Sequence, residues 1–137
     1  MKTIIIVSIT IIAVIFEIKY QKAFRKRLSK YWNKSDYFSA KKWKQSFPNS
    51  SNIEIRKFLE CFVDGFAFSS KKRLKFEPDD KVMEIYNTIY PPKRFLASDA
   101  LELETFAMNL EDEYKIKFSE VWQEDATLGE IFNKLTN

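Results

Sequence analysis

Apolar positions along this chain fall into two regimes. Residues 4–18 are apolar at nearly every position, interrupted only by Ser8, Thr10 and Glu17. Beyond residue 52 the apolar residues recur three and four apart, the period of a helix with one buried face. Ile53, Phe58, Leu59, Phe62 and Phe66 predict a first helix over residues 53–67, after a loop at 47–52 in which Asn52 suits the N-cap. A polar connection at 69–75 and a short extended piece at 74–78 follow. Asp79 and Asp80 are placed to cap a short helix over 81–90, with Val82, Ile85, Tyr86 and Ile89 on one face. Pro91 and Pro92 stop it.

The strongest local pattern comes next. Asp99 is a good N-cap, and Glu102 three residues on completes a capping-box-like pair. Leu103, Phe106, Ala107, Leu110 and Tyr114 form a continuous apolar stripe, while Glu102, Glu104, Glu111, Asp112 and Glu113 cover the outside. Acids late in a helix oppose its dipole, by about a few tenths of a kcal/mol each, so this acidic face is kept at a small cost. Ile116 and Phe118 then alternate with polar residues in a loop. Ser119 opens a short helix with Val121 and Trp122. Thr127 and Glu130 form a second capping box ahead of a last helix whose Leu128, Ile131, Phe132 and Leu135 face inward. The pattern predicts an all-α fold, and two glycines and four prolines in 137 residues agree with it.

The first regime fits three roles: a cleaved signal peptide, a core helix or a membrane anchor. Residues 17–22 hold no small-x-small cleavage site, and a core helix apolar on every face at a chain end is poorly placed. Fifteen residues of helix reach only about 22 Å of a roughly 30 Å hydrocarbon layer. Extension to residue 24 closes the gap if Lys19 and Lys22 snorkel. The expected division is therefore a membrane anchor over 1–24, a juxtamembrane stem over 25–50 and a globular domain over 51–137. Lys19, Lys22, Arg25, Lys26, Arg27 and Lys30 follow the span, against Lys2 alone before it. By the positive-inside rule the chain is single-pass with its C-terminal domain cytoplasmic.

Charge sharpens this division. Residues 1–48 carry 11 Lys/Arg against Glu17 and Asp36, a net +9, whereas residues 99–137 carry 10 acids against three lysines, a net −7. The overall +4 conceals both. In the stem, Tyr20, Phe24, Leu28, Tyr31 and Trp32 recur at helical spacing among the basic residues, followed by Trp43 and Phe47. Such a segment suits an interfacial helix on anionic lipid. It equally suits a stem whose aromatic residues pack on the domain. Nucleic acid is not an expected partner, because no fold signature accompanies the basic charge.

The chemistry available is narrow. There is no histidine, which removes imidazole bases, Ser-His and Cys-His pairs and His-ligated metals. Cys61 is the lone cysteine and can form neither an internal disulfide nor a zinc site. It lies among Phe58, Leu59 and Phe62 and reads as a small core hydrophobe, with a reactive thiol as the alternative. No glycine-rich phosphate loop is present, and Glu111, Asp112 and Glu113 point apart on their helix. Neither enzymatic activity nor a bound metal is expected.

The order of acidic helix, short loop, short helix and Thr-capped last helix resembles the acyl/peptidyl carrier protein family. Leu110-Glu-Asp-Glu-Tyr114 is similar to the family's Leu-Glu-Glu-x-Phe, Ile116 and Phe118 to the apolar pair after it, and Thr127-Leu128 to its Thr-Val. The match is good from Asp99 to Leu135 and looser over 53–98. It implies an acyl-carrier-like four-helix bundle with a long first loop at 71–98. The family attaches phosphopantetheine to the serine of Asp-Ser-Leu; this chain has Asp99-Ala100-Leu101. Alanine has no oxygen to esterify, so no phosphopantetheine cofactor is expected at position 100. In the family the acidic helix docks on basic patches of partners, which implies a docking face of Asp99, Leu101, Glu104, Met108, Glu111 and Asp112. The expected function is thus a membrane-anchored, non-catalytic docking module for a protein with a basic patch. The alternatives are a true carrier with an atypical site, Ser98 being nearest, and a structural subunit of a membrane complex.

Overall fold

The computed structural model describes residues 1–90 and 101–137. Among them the chain is helical, with α1 over Lys2–Trp32, α2 over Asp36–Ser46, α3 over Asn52–Gly65, a 3₁₀ turn over Ser70–Lys75, α4 over Val82–Ile89, α5 over Leu101–Tyr114, α6 over Phe118–Val121 and α7 over Leu128–Thr136.

No glycine or proline falls within α1, and its 31 residues make one unbroken rod of about 46 Å. Its apolar part stands clear of the rest of the protein; Ile4, Ile9 and Phe16 are all more than half exposed. The two hydroxyls there close on their own helix, Ser8 Oγ donating to Ile4 O at 2.9 Å and Thr10 Oγ1 to Ile6 O at 2.8 Å. Such back-bonding satisfies a polar side chain where no water is present. The rod is long and apolar enough to cross a membrane, a test that a signal sequence also passes.

The far end of the same rod is core. Leu28 and Tyr31 are buried in one cluster with Trp43 of α2, Phe58 and Phe62 of α3, Phe106 of α5 and Phe132 of α7. Trp43 stacks on Phe47 at 5.8 Å and meets Phe132 edge-on at 5.7 Å. Its Nε1–H donates to the buried Phe76 carbonyl at 2.9 Å. Of the two readings of the stem, packing on the domain therefore describes Tyr31 and Trp43, and the core runs across the boundary drawn at residue 51.

Local signals decide most helix ends, with four differences from expectation, one being that α6 starts at Phe118 behind Lys117 rather than at Ser119. The N-cap of α3 is Ser51, one residue before Asn52. Ser51 Oγ accepts from Glu54 N–H at 3.1 Å and Glu54 Oε2 accepts from Ser51 N–H at 2.6 Å, a complete capping box. Asp80 does not cap α4. Its carboxylate takes the Glu77 N–H at 2.7 Å and both its oxygens lie 2.8 Å from Lys34 Nζ. The start of α4 is instead laced to that of α7 by backbone, Val82 N–H donating to Ala126 O and Leu128 N–H to Asp80 O. Of residues 74–78, expected to be extended, Leu74 and Lys75 belong to the 3₁₀ turn, while Phe76 is extended at φ −106° and ψ 134°. The Thr127–Glu130 capping box forms as expected, at 3.1 and 2.8 Å.

A charged cluster ties the α1–α2 corner to the loop before α4. Lys34 bridges Asp80 at 2.8 Å and Glu77 at 3.4 Å, and Lys42 meets Glu77 at 2.8 Å. The buried Ser39 hydroxyl adds a longer bond to Glu77 at 3.3 Å. Burial works to raise the Glu77 pKa, but the Lys42 hydrogen bond and the charges of Lys34 and Lys42 outweigh it and hold the carboxyl below its ordinary 4.5. The folded protein thus binds this proton more weakly than the unfolded chain. The contribution is complete above about pH 4.5 and is lost as pH falls through the lower folded value. Thermal melts of the wild type are expected to drop steeply in that acid range, and those of Glu77→Gln to start lower at neutral pH and fall less. Parallel slopes for the two proteins would contradict this assignment.

Candidate interaction surface on the acidic helix

The face that α5 turns inward is fixed by close packing. Phe106 lies edge-on to Phe62 at 5.3 Å, Phe66 at 6.2 Å and Phe118 at 5.9 Å, and with Leu110 it is fully buried. Leu103, Ala107 and Tyr114 are half-buried beside them, so the predicted stripe is the packed one. Gly65 lets the two helices touch: a Cβ there would sit 2.7 Å from the Phe106 Cα. Polar bonds fix the register. Asn109 Nδ2 donates to Cys61 O at 3.1 Å and to Asp64 Oδ2 at 2.9 Å, and Lys57 pairs with Glu113. With its inner face held this way, α5 has one rotational setting, and its outer face is set with it.

That outer face carries Leu101, Glu104, Met108, Glu111 and Asp112 together, all exposed. Met108 is 68% exposed and Leu101 57%, uncovered apolar side chains among acids. Two of the acids have neighbours of their own. Glu111 Oε1 accepts the Phe118 N–H at 2.8 Å and so helps start α6. Asp112 lies 3.5 Å from Lys115, a pair too exposed to hold either side chain. Glu102 belongs elsewhere: it is half-buried and hydrogen-bonded to the Tyr90 hydroxyl. Asp99, Ala100 and Ser98, with the expected Asp99 cap, lie outside the described residues.

Lys19, Lys22, Arg25, Lys26 and Lys30 are exposed along α1, and Arg27 is half-buried. Lys30 Nζ lies 4.9 Å from the Tyr31 ring centroid, a cation–π contact. Cys61 is half-buried, and burial, then Glu113 and Asp64, push its thiol up to about 11. It stays protonated at neutral pH and is therefore a weak nucleophile. Among the described residues no group of three or more His, Cys, Asp or Glu could hold a metal ion.

Sequence reasoning missed one surface. Between α2 and the start of α3 lies an open cleft of about 330 Å³, with Trp43, Ile55 and Leu74 at its base and Tyr37, Lys41 and Arg56 around it. Its residues come from three segments, so no local pattern reveals it; the adjacent Tyr37 and Phe38, both exposed, were the available hint.

Set against known protein families, curated proteins and solved structures, the chain matches none.

Proposed function

We propose that this protein is a membrane-anchored, acyl-carrier-like docking module without an attachment serine, which binds a protein partner bearing a basic patch through the outer face of α5. The observation that carries this reading is the division of α5. Its apolar stripe is consumed by the core, and what remains outside is an acidic surface with exposed Leu101 and Met108. An apolar centre rimmed by charge of one sign is the composition of a recognition surface, in which the charges set encounter rate and partner choice. The basic run from Lys19 to Lys30 on a rod long enough to span supports anchoring with the domain on the cytoplasmic side.

The test is co-purification of the full chain from its host membranes, comparing wild type with Glu104→Lys/Asp112→Lys. Glu111 is left intact because it holds the Phe118 N–H. Partner recovery is expected to fall about tenfold or more, with greater loss at low salt. Recovery unchanged by the reversal would defeat the docking role of α5. It would favour the structural-subunit reading, which draws support from α1 and the domain sharing one core.

A further inference from the structure

We infer that the partner of α5 is a second copy of this chain, which receives the acidic face in its α2–α3 cleft; the inference rests on the docking reading of α5. The two surfaces are opposites in charge and alike in plan. The cleft has an apolar base, including Ile55 and Leu74, and exposed Lys41 and Arg56 beside it. Neither cation joins any ion pair among the described residues. Lys44 adds charge nearby, although its ammonium is bound to Ser50 O at 2.6 Å. The outer face of α5 places Met108 between Glu104 and Asp112, so that an apolar centre lies between two acids about 12 Å apart along the helix. Each surface offers what the other lacks.

A chain cannot satisfy its own cleft. On α3, Arg56 faces the cleft, while its neighbour Lys57 is paired with Glu113 of α5. The two surfaces thus flank α3, and α5 is pinned there through Gly65 and Phe106. The complement has to come from another molecule. Such a contact is heterologous, one copy giving its helix and the next its cleft, and it closes into a ring or continues as a row. Anchoring by α1 would favour it, because copies inserted in one sense share an up direction.

The full chain in zwitterionic nanodiscs or neutral detergent is examined by analytical ultracentrifugation at about 20 mM and about 500 mM salt, conditions that differ several-fold in screening length. Particles with more than one chain at low salt, reverting to single chains at high salt, are expected. Lys41→Glu/Arg56→Glu and Glu104→Lys/Asp112→Lys should each remain single, and an equimolar mixture of the two should associate again. Recovery in the mixture excludes misfolding as the cause of loss in either. Single chains of wild type at low salt, association that survives both reversals, or a mixture that stays apart would each overturn the inference. If wild type stays single at low salt while Glu104→Lys/Asp112→Lys still loses a co-purified protein other than this chain, the inference fails and the docking reading of α5 stands. If the reversal changes neither self-association nor co-purification, both fail.

Discussion

Trp43→Ala is expected to destabilise the protein by about 3–5 kcal/mol, the range for removing a large buried aromatic side chain. Trp43 is fully buried, touches Phe47, Phe58 and Phe132 through its rings and holds the Phe76 carbonyl. Alanine would leave a cavity and an unpaired buried acceptor together, and the two costs add. Against a total stability of about 5–15 kcal/mol, that loss approaches unfolding. Trp43→Phe separates the two costs: it fills most of the volume and leaves Phe76 O unpaired, for about 1–3 kcal/mol. Urea unfolding of the full chain in detergent measures both. A Trp43→Ala midpoint close to wild type would show that α2 is not part of the core.

Gly65→Ala should also destabilise, by less than Trp43→Ala, although helix propensity alone would reward it by up to about 1 kcal/mol. The added methyl would lie 2.7 Å from Phe106 Cα and 2.8 Å from Phe106 N. These are backbone atoms, so no rotamer change relieves the clash and α3 and α5 must separate. Overpacking of this kind costs about 1–3 kcal/mol, occasionally more. The net effect, read as a lowered melting temperature, is a loss despite the better helix former. Partner recovery should fall too, because the outer face of α5 moves with the helix. A Gly65→Ala protein that melts higher than wild type would contradict the close approach.

The sequence carried the helices beyond residue 52 well, missed α2 (Asp36–Ser46) within the stem, and carried the mutual arrangement poorly. The stripes of α4, α5 and α7, and that of α3 from Phe58 on, were readable because burial of one face imposes the period directly. Ile53, counted in the α3 stripe, is 76% exposed, and Ile55 is the buried residue of that turn. The Thr127 box was readable because both partners lie within one turn. Ser51 and Asn52 are adjacent cap formers, and only the position of Glu54 separates them. Asp80 was read as a cap because its competitor, Lys34, is remote in sequence. Gly65 closes α3 but does not take the left-handed turn after it; it serves the contact with Phe106, and Ala67 takes the left-handed conformation at φ 55°. Whether Tyr31 and Trp43 face lipid or protein was open for the same reason: the residues that bury them are Phe76, Phe58 and Phe132. On the candidate surface, Leu101, Glu104, Met108, Glu111 and Asp112 do fall on one exposed side. The double role of Glu111 required knowing where Phe118 lies.

The continuity of α1 has a mechanical side. A domain on a flexible tether sweeps a hemisphere above its membrane and forgets how its anchor is turned. Here the last turns of the rod are inside the core, with Leu28 fully buried, so there is no joint to forget with. If the rod spans a bilayer, height and azimuth of the domain are both counted in residues. One residue inserted ahead of Phe24 would lift the domain by about 1.5 Å and swing it by about 100° about the rod. The search for a neighbour then becomes a matter of sliding and spinning in a plane, with tilt of the span as the only remaining hinge.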